Sequence, residues 1–232
     1  MISLSKIEER APGLVSLAKT AAVSLEKHGI TDEVASVYLV LDHSGSMQRY
    51  YRDGSVQRLA EQALALAVNL DDDGTVPLAY FASRYQTAAD VQLSDYQGII
   101  DRTRRHARWG STNYAAAIIE TANAYGRSCH GGAPGLVIFQ SDGEPDHRGA
   151  AVDALRQVST MPIFWAFVGY GDRISFLEQL DYLDGRAVDN ASFFHARDPH
   201  NVSDAELYDG ITSQYGAWLA AARAAGIIRR RP

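Results

Sequence analysis

A single cysteine, Cys129, stands among 232 residues, so no disulfide can close within the chain. Lysine is nearly as scarce. Lys6, Lys19 and Lys27 are the only three, and every later basic side chain is Arg or His. No lysine is therefore available beyond residue 27 for a phosphate loop or a Schiff base. No apolar run approaches the roughly 18 residues that a membrane span requires. A surplus of positive charge is also missing. Lys and Arg number 22 against 28 Asp and Glu, a net charge of −6, which argues against the whole domain being a nucleic-acid binder. The opening residues, MISLSKIEERAPG, turn acidic within ten positions and hold no apolar h-region, so no signal peptide is expected. The missing disulfide, membrane span and signal peptide favour the cytoplasm and would also fit a domain cut from a longer chain. What remains is ordinary globular usage, 46% hydrophobic and 22% charged, with length for one large α/β unit.

Hydrophobic periodicity divides the chain into alternating elements. Residues 13–28 place Leu14, Leu17, Ala18, Ala21, Ala22 and Leu25 at helical spacing, with Pro12 at the start and Gly29 as a stop. The run VASVYLVLD, 34–42, reads as a strand buried on both faces. A helix follows over 55–69, a turn at Asp71, Asp72 and Asp73, then a strand over 76–82 and a short edge strand over 87–93. Polar residues 95–108 are expected to be helical, as are 113–126. GLVIFQSD, 135–142, is another apolar strand ending on an aspartate. Helix 148–159, strand 161–169, helix 173–183, strand 191–195 and helix 203–224 complete the pattern. Such alternation predicts an α/β fold. It is a single doubly wound, mostly parallel sheet with helices on both faces and an extra N-terminal helix. The expected organisation is a helical extension over 1–33 packed on the domain, the domain itself over 34–224, and a tail over 225–232.

Chemistry concentrates at three points. Strand 34–42 ends in Asp42-His43-Ser44-Gly45-Ser46, a carboxylate and two hydroxyls at alternate positions of one loop. All are hard oxygen donors, suited to Mg²⁺, Mn²⁺ or Ca²⁺ rather than zinc. Gly45 would let that loop bend without a Cβ clash. Thr112 follows Gly110-Ser111 and opens a helix, and Asp142 ends a strand before Gly143. In an open parallel sheet, ligands bind beyond the carboxyl ends of the strands, where Asp42 and Asp142 both lie. Plainer readings exist for each. Asp42 and Thr112 are competent helix caps, and serines are common in loops. His43 reads as a solvent-exposed loop residue. Arg102, Arg104, Arg105 and Arg108 form either a solvated helix face or a positive rim that steers an acidic partner. Tyr50 and Tyr51 are contact aromatics or local packing, and Trp109, Trp165 and Trp218 read as packing. No cue gives Cys129 a catalytic role.

Taken together, D-H-S-G-S, G-S-T and S-D-G resemble the three segments of the metal-ion-dependent adhesion site of von Willebrand factor A (VWA) domains. The order of the segments and the strand–helix alternation from 34 to about 223 agree with that likeness. With the helix 13–28, the stretch D-H-S-G-S-M through Y-R-D-G-S-V-Q-R-L-A is similar to cytoplasmic bacterial VWA proteins of tellurium-resistance clusters. The resemblance implies one divalent cation, Mg²⁺ first and Mn²⁺ or Ca²⁺ as substitutes. Ser44 and Ser46 would bind it directly. Asp42 and Asp142 would bind it directly or through water, and Thr112 in the ligand-competent state. It also implies a protein partner that presents Asp or Glu to the ion, drawn from other proteins of such clusters and serving tellurium or chemical stress. Two carboxylates balance a dication, and the remaining ligands are neutral, so the ion can still attract a third carboxylate. Catalysis is not expected. Aspartyl-phosphate chemistry uses D-x-D, where this chain has Ser44, and needs a downstream lysine. A metal-dependent hydrolase and a structural domain with a vestigial site stand as the alternatives.

Overall fold

The computed structural model describes residues 2–71, 73–128 and 132–228. Asp72, Cys129 and the last four residues of the expected tail lie outside them. The chain begins with α1 (Leu4–Arg10), a 3₁₀ turn (Pro12–Leu14) and α2 (Val15–Lys27). Strand β1 (Ser36–Asp42) follows, then a 3₁₀ turn (Gly45–Met47), α3 (Gln48–Arg52), α4 (Ser55–Leu70), β2 (Thr75–Phe81) and β3 (Tyr85–Gln92). Next come α5 (Ile99–Thr103) with a 3₁₀ turn (Arg104–His106), α6 (Tyr114–Arg127), β4 (Gly135–Ser141) and α7 (Arg148–Val158). The last elements are β5 (Ile163–Tyr170), α8 (Ser175–Asp181), β6 (Ala191–Ala196), α9 (Asp204–Thr212) and α10 (Tyr215–Ala224).

The six strands form one sheet in the order β3-β2-β1-β4-β5-β6. All neighbours are parallel except β2 and β3, so the expected edge strand is the antiparallel one. Strand alternation sends side chains to opposite faces. Val37, Leu39 and Leu41 join a core with residues of α2, α4 and α9, while Tyr38 and Val40 join a second core with residues of α6, α7 and α8. Burial on both faces explains why β1, β4 and β5 read as near-continuous apolar runs.

The N-terminal helices lie on the first of these faces. α2 packs against α4 and α9 and buries Leu17, Ala18, Ala21 and Leu25. Polar contacts fasten it. Ser24 Oγ donates to Asp209 Oδ1 at 2.7 Å, Lys27 Nζ donates to Asp209 Oδ2 at 2.5 Å, and Asn69 Nδ2 donates to the Ala18 carbonyl at 3.0 Å.

Two expectations need correction. The helix expected over 95–108 shrinks to α5 and a 3₁₀ turn, because Gly98 sits at φ +65° and the Arg102 guanidinium folds back onto the carbonyls of Asp95 and Gln97. The helix expected over 203–224 is two helices. The break falls at Ser213–Gln214, where Gln214 Nε2 donates to Asp181 Oδ1 at 3.1 Å. It also brings Gly216 against the His28 carbonyl, where a Cβ would stand 2.8 Å from the oxygen. Helices α1 and α3, at 7 and 5 residues, carry too little periodicity to be read from sequence.

Candidate metal centre

Strand order reverses between β1 and β4, since β1 leads outward to β2 and β3 on one side while β4, β5 and β6 continue on the other. The crevice at such a reversal is where a doubly wound sheet binds ligands. Asp42 closes β1 on one side of it, and Asp142 follows β4 on the other.

The first loop is built around Asp42, which is fully buried. Its Oδ1 accepts from the Ser44 backbone N–H at 2.7 Å, and its Oδ2 accepts a hydrogen bond from Ser141 Oγ. The Tyr51 hydroxyl donates to the Asp42 carbonyl at 2.8 Å. Ser44 Oγ lies 3.2 Å from Ser46 Oγ, and Ser46 Oγ donates to Asp142 Oδ1 at 2.7 Å. Oxygens of Asp42, Ser44, Ser46 and Asp142 thus form one connected cluster. Ser46 is its exposed member; the other three are buried. The carboxylates respond to this burial. Desolvation pushes the Asp42 carboxyl from 3.8 up to about 7, opposed by Ser141 and Ser44 and aided by the Asp142 charge. Desolvation likewise raises Asp142, opposed by Ser46 and by the Arg49 and Arg173 charges.

Thr112 arrives by a different route. A β-bridge pairs Ser44 with Gly110, and the close approach depends on glycine. A Cβ at Gly110 would stand 2.5 Å from Ser83 Oγ and 3.0 Å from Ser83 N. Beyond it the Thr112 N–H donates to Asp146 Oδ1 at 3.1 Å, and the Thr112 carbonyl accepts from Asp146 N at 2.8 Å. Among the described residues Thr112 Oγ1 makes no hydrogen bond to the other four oxygens. The structure therefore gathers four of the five predicted side chains directly and places the fifth on an adjacent, tethered loop. The cap of α6 is Asn113, whose Oδ1 accepts from Ala116 N at 3.0 Å, and not Thr112.

Other sequence readings shift here. His43 is not an exposed loop residue; it is 1% exposed. The β1–β2 ladder runs one residue past Asp42, with His43 N donating to the Phe81 carbonyl at 2.7 Å, and alternation turns the ring inward. It stacks on Trp109 with centroids 3.7 Å apart, and the Tyr51 ring meets it edge-on at 5.1 Å. Burial lowers its pKa, favouring the neutral ring. Tyr50 and Tyr51 are buried packing residues, as are Trp165 and Trp218, whereas Trp109 remains 40% exposed. Gly45 has no positive φ, and a Cβ there would meet nothing within 4 Å. The sterically required glycine is Gly110. Ser141 is the positioning residue that sequence alone passes over. It faces Asp42 only because β1 and β4 pair with Leu41 opposite Gln140. Among the described residues no group of three His, Cys, Asp or Glu side chains could hold a metal, so this centre is one of hydroxyls and two carboxylates.

A six-stranded doubly wound sheet carrying D-x-S-x-S, G-S-T and S-D-G at the reversal of its strand order defines a VWA-type domain. The vWA-TerF-like family, described as the vWA found in the TerF C terminus, matches residues 34–228, and the chain belongs to it. An uncharacterized protein of Bacillus subtilis (strain 168), YcbR, is 31% identical over 218 residues, covering 92% of this chain and 89% of its own length. Among solved structures, a von Willebrand factor type A protein from Catenulispora acidiphila aligns with TM-score 0.57 at 16% identity, over 78% of this chain and 42% of that one. Manganese-loaded TRAP protein of Plasmodium vivax aligns with TM-score 0.55 at 19% identity, over 77% of this chain and 74% of that one. At such identities these structures speak for the fold alone. Among the described residues no helix is long and apolar enough to cross a membrane.

Proposed function

We propose that this protein is a metal-ion-dependent protein-interaction module. Asp42, Ser44, Ser46, Thr112 and Asp142 hold one divalent cation, and a partner's Asp or Glu completes its coordination. The observation that carries this reading is the oxygen cluster itself. Two segments far apart in sequence meet with their hydroxyls and carboxylates in hydrogen-bond contact, one face open at Ser46, and the bridge from Ser44 to Gly110 brings the Thr112 segment alongside. The donor set fits a hard cation, with Mg²⁺ the first choice and Mn²⁺ or Ca²⁺ acceptable. A structural neighbour of the same fold, the TRAP protein of Plasmodium vivax, is manganese-loaded, which supports a cation-binding reading of this fold. When bound, the cation supplies an electrophilic point for a carboxylate. The chain's own residues set its affinity. Ser141 and the Ser44 N–H orient Asp42, and Asp146 anchors the loop of Thr112.

The reading is of a binding module and not an enzyme, since Ser44 replaces the second aspartate of aspartyl-phosphate chemistry and no lysine follows Lys27. Membership of the TerF-like family supports a role in bacterial tellurium or chemical stress, in the cytoplasm, with other proteins of such clusters as partners. Calorimetric titration with Mg²⁺, Mn²⁺ and Ca²⁺ tests the centre. Uptake of about one equivalent is expected, abolished in Asp142→Ala. Neither heat nor thermal shift with any of the three at millimolar concentration would leave a vestigial site and sink the proposal.

A further inference from the structure

Beside the centre, the loop 109–113 borders a groove of about 570 Å³ whose lining includes Ser83, Arg84, Gln86, His106, Arg108 and Trp109. We infer that this groove receives a second acidic side chain from the same protein partner whose first carboxylate meets the metal. The inference rests on the metal reading above and names the partner's chemistry more closely: an acidic segment, not an isolated Asp or Glu.

Continuity is the first support. Ser83 Oγ lies 3.0 Å from Ser111 Oγ and accepts from Ser111 N at 3.0 Å, while Asn113 N donates to the Ala82 carbonyl at 3.0 Å. The groove wall and the loop carrying Thr112 are thus held together as one unit. A segment with one carboxylate on the cation must leave the site over a neighbouring surface, and this groove is one such surface.

Charge is the second. The basic run 102–108 divides in the folded chain. Arg102 is occupied by the carbonyls of Asp95 and Gln97. Arg104 pairs with Asp101 at 2.8 Å and lies over the Tyr51 ring. Arg84 and Arg108 are exposed, and among the described residues neither joins an ion pair. Arg84 comes from the β2–β3 turn, distant in sequence from the run it joins. On a chain of net charge −6, two unpaired guanidinium groups beside His106 reverse the sign locally. The guanidinium fork matches a carboxylate in two-point contact.

Trp109 is the third support. One face of its ring stacks on His43, yet 40% of the residue stays exposed at the groove. A partly exposed aromatic beside arginines is the composition that interface anchors favour, and it offers apolar contact to the stem of a glutamate. Two arginines and one histidine fall short of the basic stripe that tracks a phosphate backbone, so a protein partner is the better match.

The test uses the full chain saturated with Mn²⁺ and two labelled peptides followed by fluorescence anisotropy. One peptide carries a single Asp in a Gly-Ser background; the other adds a short run of Glu. The Glu-bearing peptide is expected to bind at least about tenfold tighter. That advantage should vanish in Arg84→Ser/Arg108→Ser and persist in Arg10→Ser/Lys19→Ser, which removes equal charge from the exposed face of the N-terminal helices. An advantage that survives the groove variant, or disappears equally in the control variant, overturns the groove. So does the absence of any binding by the Glu peptide, or equal affinity for a single-stranded oligonucleotide of matched charge. Failure of the metal reading is read separately, as no Mn²⁺ uptake by calorimetry. In that event the groove stands if the Glu peptide still binds in EDTA with the same Arg84 and Arg108 dependence, and falls if it does not.

Discussion

In EDTA at pH 8, Asp42→Asn protein is expected to resist urea better than the parent, and Mn²⁺ is expected to reverse the order. Asp42 is fully buried, and burial raises its carboxyl from 3.8 to about 7 in the metal-free fold. A raised folded pKa contributes stability that is fully present below about 3.8 and lost as pH rises through about 7. Each pH unit in that window costs about 1.4 kcal/mol. Asparagine has nearly the same shape and no charge to bury, so it escapes the cost. A bound cation inverts the balance because it compensates the carboxylate and binds the folded state alone. Removing one of only two carboxylates should weaken metal binding by more than about a hundredfold, past the range seen for residues that only orient ligands. Below pH 7 the cation must displace a proton from Asp42, so apparent affinity should drop about tenfold per pH unit. Urea melts of both proteins at pH 5, 6, 7 and 8, with and without Mn²⁺, check all three points. Equal stabilisation of both proteins by Mn²⁺ would remove Asp42 from the centre.

Gly110→Val should damage both stability and metal uptake, whereas Gly45→Ala should leave stability near the parent's. The added Cβ at Gly110 meets Ser83 Oγ at 2.5 Å, Ser83 N at 3.0 Å and Ala82 Cβ at 3.2 Å. A hydroxyl can rotate away; the backbone nitrogen and the Ala82 methyl cannot. Relief requires the loop to retreat from Ser44 and carry Thr112 with it. Overpacking of this kind costs about 1–3 kcal/mol, and a displaced ligand loop should lower metal affinity at least about tenfold. At Gly45 a new Cβ meets nothing within 4 Å, so the change in stability should stay within about 0.5 kcal/mol. Denaturation midpoints and calorimetry on the pair decide it. A Gly110→Val protein that melts and binds like the parent would show that the bridge to Ser44 has no part in placing Thr112.

The strands beside the crevice were legible because their chemistry is local. Residues of β1 and β4 are buried on both faces, so their apolar runs announce themselves, and each hands over to a polar motif where the strand stops. What sequence could not supply was pairing. Ser141 faces Asp42 through the register of two strands about a hundred residues apart, and His43 turns inward because a ladder extends one residue further than its motif suggests. The arginine run looked uniform from 102 to 108. Only the fold separates Arg102 and Arg104, which are engaged internally, from Arg108, which is joined by Arg84 from another turn. The break between α9 and α10 is invisible for a related reason. Leu207, Tyr208, Ile211, Tyr215, Trp218 and Leu219 are all buried and keep helical spacing across it, while the cause of the break lies in Asp181 and His28.

The family match begins at residue 34, yet Leu17, Ala21 and Leu25 are buried against helices that the match includes, and Asp209 is bound by Ser24 and Lys27. The edge of the family match and the folding edge are therefore different places. A version cut at the family boundary would carry every residue of the metal centre and still bare an apolar stripe along α4 and α9, the sort of surface by which a detached fragment finds others of its kind.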